Sequence, residues 1–223
     1  MVSRPVLPFV PYAVVAVVHL ATLAVHDSSL ATVSKWFLMP ALLVAVLITC
    51  RRPAGRPVGL IVLAVAFSWG GDVLLGMPGD LGFLIGLGSF FLAHVTYTVL
   101  FIRRLRIRRM PRLVVALFGL WWVALLIVLS PHLGALLVPV AVYGLVLGAS
   151  ATASLASTPW VATGGVLFLV SDTILAFKLF FPGFSLWQAD FIIMLLYLAA
   201  QGFIVFGATR TFSRAQRPAV VSV

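Results

Sequence analysis

Glutamate is absent from this sequence, and its five acidic residues are all aspartates: Asp27, Asp72, Asp80, Asp172 and Asp190. Only 9% of the residues are charged, whereas 63% are hydrophobic. A soluble domain of this size could not bury so much apolar surface, so the composition indicates a membrane protein. Because carboxylates are so scarce, the position of each aspartate is informative.

Cysteine is nearly absent too. Cys50 is the only one, which excludes an intrachain disulfide framework and a multi-cysteine metal site. The four histidines lie on different segments without ligand spacing, so nothing in the sequence supports a zinc site. The chain also lacks a Gly-x-Ser-x-Gly elbow, a His-Glu-x-x-His motif, a P-loop and a dinucleotide fingerprint.

Eight apolar runs are each long enough to cross a bilayer, at about 20 residues per crossing. They predict an all-α bundle of eight transmembrane helices that forms one membrane domain over residues 1–223. Short connections, such as the one expected at Ser130–His132, indicate antiparallel neighbours. The predicted spans are approximately 9–25, 31–50, 58–75, 81–102, 113–129, 133–154, 160–181 and 187–207.

The basic residues are distributed unevenly between the two sides of this topology. All fifteen except Lys35 and Lys178 fall in the N-terminal segment, the second and fourth connections or the C-terminal tail. A net charge of +10 would suggest nucleic acid in a soluble protein. Here the positive-inside rule explains it without any nucleic acid and places both termini in the cytoplasm, with the protein in the plasma membrane. The oligomeric state is left open.

Two aspartates, Asp72 and Asp172, lie inside apolar runs. An ionisable side chain at the bilayer centre costs roughly 2.5–3.5 kcal/mol on insertion scales, so it is a functional hypothesis by default. The structural alternative is a hydrogen-bonded packing residue. Ser68 lies four residues before Asp72 and so shares its helix face. Ser171 directly precedes Asp172, where it is a further polar candidate or only a packing hydroxyl.

Further polar side chains occur in pairs at helical spacing. His94 and Tyr97 are three residues apart, and Tyr197 and Gln201 are four apart. Each pair could line a polar cavity or could simply hydrogen-bond between helices. Tyr143 lies in mid-span and is another candidate for the cavity.

Lys35 lies near the outer end of its predicted helix. It could extend its ammonium to the interface, or it could bind a lipid phosphate.

The two halves of the chain resemble one another weakly. Asp72 precedes Tyr97 by 25 residues, and Asp172 precedes Tyr197 by 25 residues. An offset of four helices gives both halves the same orientation, as in a parallel four-plus-four repeat. Chance is the other explanation in so apolar a sequence.

Two carboxyl groups held close together in hydrocarbon do not both ionise readily, so one can act as an acid while the other acts as a base. That is the requirement of general acid/base catalysis. Whether Asp72 and Asp172 are close is a question for the fold.

The motifs resemble those of the YhhN-like integral membrane proteins, whose animal members are lysoplasmalogenases. The first half carries Lys35 and Pro40, Phe67-Ser68-x-x-Gly71-Asp72-x-x-Leu75, Phe83-x-x-Gly86, Phe90, His94 and Tyr97. The second half carries Phe168-x-x-Ser171-Asp172-x-x-Leu175-Ala176, Tyr197 and Gln201.

The resemblance implies an enzyme that hydrolyses the vinyl ether of a lysoplasmalogen to a fatty aldehyde and a glycerophospho-alcohol. Asp72 and Asp172 would be the catalytic acid/base pair, in either order, and Lys35 would meet the phosphate of the lysophospholipid. Water or the ether oxygen would be positioned by His94, Tyr97, Tyr197 and Gln201. The scheme requires no metal and no organic cofactor, and its partners are the substrate and membrane lipid.

Two other classes of function fit intramembrane carboxylates. One is a small proton-coupled transporter, which helices interrupted at Gly70-Gly71 or Gly164-Gly165 would favour. The other is a non-enzymatic lipid-binding protein in which the aspartates are structural.

Overall fold

The computed structural model describes residues 6–50 and 56–215, and α-helices form nearly all of this part. No strand occurs in these residues, so the all-α prediction is confirmed there. Arg4, Arg51, Arg52 and Arg217, which entered the topology prediction, lie outside the described residues. The helices are α1 Val10–Ala24, α2 Ser28–Thr49, α3 Arg56–Leu74, α4 Asp80–Leu100, α5 Arg112–Leu133, α6 Leu137–Ser154, α7 Pro159–Phe180 and α8 Ala189–Ala215.

Seven helical stretches of the described chain are long and apolar enough to cross a membrane. One of them, Arg112–Ser154, is 43 residues long and contains both α5 and α6. A straight helix of that length would measure about 65 Å, roughly twice the hydrocarbon core of a bilayer. The chain instead turns at Gly134, where φ is 49°, and α5 packs against α6. The protein is therefore a multi-pass membrane protein, and the eight α-helices of its described residues follow the eight predicted runs in order.

The predicted connection at Ser130–His132 is wrong, because α5 continues through Pro131 to Leu133. Proline lacks a backbone amide hydrogen, but its fixed φ is close to the helical value. A helix can therefore continue through a proline, as α5 does. The turn occurs at Gly134, since a positive φ is accessible to glycine without strain. Similarly, a π-helical turn at Phe101–Leu105 lengthens α4 beyond its predicted end.

The most extensive helix contacts are those of α3 with α4 and of α7 with α8. Small residues allow these close approaches. A Cβ added at Gly86 would lie 2.8 Å from the backbone nitrogen of Leu75, and one at Gly164 would lie 2.7 Å from the carbonyl oxygen of Ala200. The two helix pairs, though not these individual contacts, are equivalent under the proposed four-plus-four repeat, which stays a prediction.

Charges of opposite sign collect at opposite ends of the helices. The arginine-rich segment after α4 joins the α6–α7 connection, where the amides of Ile107 and Arg108 donate to the carbonyl oxygen of Ala156. Asp80 and Asp190 begin α4 and α8 at the other end, where Lys178 pairs with Asp190. Asp27 caps α2 there by accepting from the amide of Leu30 at 2.9 Å.

Candidate active site

A cavity of about 510 Å³ lies among the helices at the aspartate-rich end of the molecule. Asp72 of α3 and Asp172 of α7 both line it, so each half of the chain contributes one carboxyl group. The volume falls in the range of about 300–1,000 Å³ that small-molecule sites occupy. Much of the remaining wall is apolar, with Leu87, Phe90 and Met194 among its residues.

Asp72 lies near the C-terminal end of α3 and is 4% exposed. The hydroxyl of Tyr197 donates to its Oδ2 at 2.8 Å. On the other side, Nζ of Lys35 lies 3.8 Å from Oδ1. Asp72 therefore has both a hydrogen-bond donor and a cation beside it, and Lys35 itself lines the cavity.

Behind Asp72 a chain of polar side chains extends into the core. Gln201 donates weakly to the hydroxyl of Tyr197 at 3.5 Å and accepts from the hydroxyl of Tyr97 at 2.5 Å. All three side chains are buried, but only Tyr197 lines the cavity. Ser68 is also buried behind the wall, where its hydroxyl donates to the carbonyl oxygen of Ala64. Tyr97, Gln201 and Ser68 can thus act on the cavity only through its lining residues.

Asp172 has different neighbours. The hydroxyl of Tyr143 donates to its Oδ2, and Tyr143 lines the cavity as well. Nε2 of His94 lies 3.9 Å from the same oxygen, which is beyond hydrogen-bonding distance. Within the described part of the chain, no lysine or arginine forms an ion pair with Asp172.

His94 is enclosed by aromatic rings rather than by polar groups. Its ring centroid lies 4.4 Å from that of Phe168 and 5.8 Å from that of Tyr143. The ring is buried, and neither nitrogen has a hydrogen-bond partner among the described residues. His94 does not line the cavity. Like Gln201, it can act on the cavity only through a residue that does line it.

Ser171 lines the cavity, but its hydroxyl is already in use. It donates to the carbonyl oxygen of Ile193 at 2.9 Å and so fastens α7 to α8. This bond fixes the helix turn that carries Asp172. The contact favours the packing alternative for Ser171 over direct substrate contact.

Sequence reasoning missed His19 as a cavity residue. Its side chain is 2% exposed and lines the cavity, with Nδ1 2.9 Å from the hydroxyl oxygen of Ser34. Its Nε2 has no hydrogen-bond partner among the residues described. The signal that identified His94, a histidine inside an apolar run, was present here as well. Lys178 and Asp190 also line this cavity.

The described histidines, cysteine and aspartates do not gather into a metal-binding group of three or more. The candidate site therefore consists of the two carboxyl groups and the tyrosines and lysine that contact them.

Comparison with known proteins relates this geometry to a family. The sequence model of the YhhN family matches residues 30–208, from the start of α2 into α8. The chain belongs to the YhhN family. The YhhN match contains every site residue predicted from the sequence, whereas His19 lies outside it.

Curated relatives carry the name lysoplasmalogenase. One from Mycobacterium tuberculosis is 37% identical over 141 residues, covering 59% of this chain and 54% of the relative, and one from Mycobacterium bovis gives the same values. The chain thus matches about half the length of these mycobacterial proteins. The human protein named lysoplasmalogenase TMEM86B is 31% identical over 173 residues, covering 78% of this chain and 74% of the relative. No solved structure matches this YhhN-family chain significantly.

Proposed function

We propose that the protein is an intramembrane hydrolase that cleaves the vinyl ether bond of lysoplasmalogens. The observation that carries the proposal is that Asp72 and Asp172, from different halves of the chain, line one cavity. The names of the relatives support the same reaction. The products would be a fatty aldehyde and a glycerophospho-alcohol.

The surroundings of the two carboxyl groups support an assignment of roles. Lys35 and the hydroxyl of Tyr197 favour the ionised form of Asp72, because both stabilise negative charge. Asp172 lacks such a cation among the described residues, and the charge of Asp72 opposes a second negative charge nearby. In the proposal Asp172 is the general acid and Asp72 is the carboxylate base.

The reaction then follows in three steps. Asp172 transfers its proton to the outer alkenyl carbon, and the carbon bonded to the ether oxygen becomes part of an oxocarbenium ion. Asp72 stabilises this cation and accepts a proton from the water that attacks it, which forms a hemiacetal. The carboxylate of Asp172 takes the hydroxyl proton of the hemiacetal as the carbon–oxygen bond to glycerol breaks, and Asp72 gives its proton to the departing oxygen. One water is consumed, and both carboxyl groups return to their starting states.

The other polar side chains have supporting roles in this scheme. Tyr197 orients Asp72, while Gln201 and Tyr97 hold Tyr197 in place from behind. Tyr143 orients Asp172, with His94 packed behind both. The ammonium of Lys35 has three donors, so a contact with Asp72 leaves others for the substrate phosphate. No step of the scheme calls on a metal or an organic cofactor.

The observation that would have favoured a transporter is absent from α3 and α7. Both helices run without interruption through Gly70-Gly71 and Gly164-Gly165. These glycines serve helix contact instead: Gly71 faces the ring of Phe90, and Gly164 faces the backbone of α8. A hydrolase therefore remains the function that the geometry supports best.

The decisive experiment measures aldehyde release from an alkenyl-lysophospholipid by the purified protein in detergent micelles. An alkyl ether with the same head group and chain length is the substrate control, since it has no vinyl group to protonate. Asp72→Asn and Asp172→Asn should each abolish release, whereas Asp80→Asn should not, because Asp80 does not line the cavity. Thermal unfolding checks that the variants fold. Full activity in both cavity variants would refute the proposal.

We propose the orientation of the protein in the membrane from the uneven distribution of its lysines and arginines. Both termini would lie in the cytoplasm of a cell whose plasma membrane holds the protein, with the cavity in the outer half. Reporter fusions at the C-terminus and at the connection near Gly134 should report opposite sides. Equal accessibility of the two positions would contradict this topology.

A further inference from the structure

A second cavity, of about 410 Å³, lies at the arginine-rich end of the molecule, between the end of α4 and helices α5 and α6. Its floor is made of small residues, including Gly119, Gly144 and Gly148, and Trp122 forms part of one wall. The single charged residue that lines it is Arg106, at its rim. This combination forms an apolar groove that ends at one cation, and we call it the Arg106 groove.

The main chain holds Arg106 at this rim. The amides of Ile107 and Arg108 both donate to the carbonyl oxygen of Ala156, at 2.9 and 3.2 Å. Nε of Arg108 donates to the carbonyl oxygen of Leu155 at 2.8 Å. Nε of Arg106 in turn donates to the carbonyl oxygen of Arg108 at 3.3 Å, which leaves the outer guanidinium nitrogens for another partner. These hydrogen bonds attach the segment to the end of α6 and hold the backbone next to Arg106 in place.

The positive charge around this groove is not neutralised within the described part of the protein. Six arginines lie between residues 103 and 112, and the five on the turn and the following segment, from Arg103 to Arg109, are exposed. The ion pairs found among the described residues involve Lys35, Lys178 and His94, and all of them lie at the opposite end. An anion therefore fits at Arg106, and an apolar chain fits the groove beneath it.

We propose that the Arg106 groove binds an anionic membrane phospholipid, with one acyl chain along the glycines and the phosphate on Arg106. The cytoplasmic leaflet supplies such lipids, and basic pockets between transmembrane helices bind their head groups. The volume is sufficient for part of one acyl chain, within the range of small-molecule sites. The site is separate from the cavity of Asp72 and Asp172, and it does not depend on the proposed hydrolysis.

Topology alone also requires arginines at this end, but it treats them as equivalent. The groove distinguishes Arg106, which lines it, from Arg109, which does not. It also distinguishes Gly119, which lines it, from Gly88 of α4, which does not, although a Cβ added at either glycine meets no atom within 4 Å. These two pairs provide matched variants for the test.

The experiment titrates the purified full-length protein with phosphatidylglycerol and, separately, with phosphatidylcholine of the same chains, and measures bound lipid by native mass spectrometry. The wild-type protein should bind the anionic lipid more tightly. Arg106→Gln should weaken that binding by about tenfold or more, because it removes a charge-assisted hydrogen bond to the phosphate. Arg109→Gln should keep at least half of the wild-type affinity. Gly119→Leu should remove the bound lipid by filling the groove, whereas Gly88→Leu should leave it.

Three results would overturn the proposal. The first is equal binding of the anionic and zwitterionic lipids by the wild-type protein. The second is equal weakening by Arg106→Gln and Arg109→Gln, which would indicate diffuse surface charge. The third is full binding in a Gly119→Leu protein whose thermal unfolding matches that of Gly88→Leu. If Arg106→Gln fails to fold, the comparison of Gly119→Leu with Gly88→Leu still tests the proposal, because it leaves every arginine in place.

Discussion

Asp72 and Asp172 occupy corresponding places in the two halves of the chain, yet their surroundings differ. Asp72 accepts from Tyr197 and has Lys35 at 3.8 Å, with Gln201 and Tyr97 in a hydrogen-bonded chain behind. Asp172 accepts from Tyr143 and lies beside His94, whose nitrogens have no hydrogen-bond partner in the described structure. One carboxyl group is set in a polar network, and the other in a largely aromatic one.

Similar sequence motifs therefore have different surroundings in the two halves of this protein. The predicted repeat would make Tyr97 and Tyr197 equivalent, but only Tyr197 donates to a carboxylate. The two aspartates therefore have different neighbours, and such a difference allows one carboxyl group to be protonated while the other is ionised.

The double variant of Asp72 and Asp172 should release aldehyde about as slowly as either single variant. Asp72→Asn and Asp172→Asn should each lower aldehyde release by about 10²–10⁴-fold, the usual contribution of a general acid or base. Because residues that act on one bond are strongly non-additive, the double variant should show a similar loss. Steady-state rates of the three variants provide the measurement. Losses that multiply would mean that the two carboxyl groups act independently.

Lys35→Met should lower kcat by about tenfold or more with a smaller change in KM, because it removes the cation beside Asp72. Lys35→Arg should keep most of the rate. The comparison of kcat with KM separates two roles. A raised KM at unchanged kcat would show that Lys35 serves only the substrate phosphate.

The two tyrosines should differ in importance. Tyr197→Phe removes a hydrogen bond to a charged group, worth about 1.5–3 kcal/mol, so activity should fall by roughly 10- to 100-fold. Tyr143→Phe removes a hydrogen bond to a neutral acid, worth about 0.5–1.5 kcal/mol, and should cost less. Rates measured with saturating substrate decide between them. The reverse order would exchange the roles assigned to Asp72 and Asp172.

Gln201→Met should affect stability more than chemistry. It removes the acceptor to which the buried hydroxyl of Tyr97 donates, which costs about 1–3 kcal/mol, while activity falls only a few-fold. Thermal unfolding in detergent measures the loss. Adding Tyr97→Phe to this variant should recover part of the stability, since both partners are then apolar. No recovery would show that Gln201 acts mainly through Tyr197.

The smallest effect is expected at the ion pair of Lys178 and Asp190. Their side chains are 35% and 65% exposed, so solvent screens the pair. Lys178→Met should change the free energy of unfolding by less than about 1 kcal/mol. The same thermal unfolding assay measures it. A loss as large as that of Gln201→Met would mean that the pair is better shielded than its exposure indicates.

The sequence was sufficient for the helices and for the two aspartates. Apolar runs define spans because lipid is the solvent, and an aspartate within such a run is conspicuous for the same reason. The end of α5 could not be predicted in this way. Pro131 looked like a boundary, but the turn depended on the backbone conformation of Gly134.

The assignment of partners could not be predicted from the sequence. Tyr143 and Asp172 lie 29 residues apart on neighbouring helices, and their contact depends on how α6 and α7 are rotated against each other. Spacing placed Tyr97 and Tyr197 on equivalent faces, but it could not tell which face meets the cavity. His19 was missed as a cavity residue because its partner Ser34 lies on another helix and belongs to no motif.

The ion pair of Lys35 with Asp72 has a consequence for the chemistry of the product. Under the proposed function the cavity fills with a fatty aldehyde at every turnover, and aldehydes condense with free amines to form imines. Lys35 lines that cavity, as Lys178 does, so its amine is exposed to self-modification there. An ammonium that is paired with a carboxylate has no lone pair for this reaction, and Nζ of Lys35 lies 3.8 Å from Oδ1 of Asp72. The contact that prepares Asp72 as a base would thus also protect the enzyme from its own product.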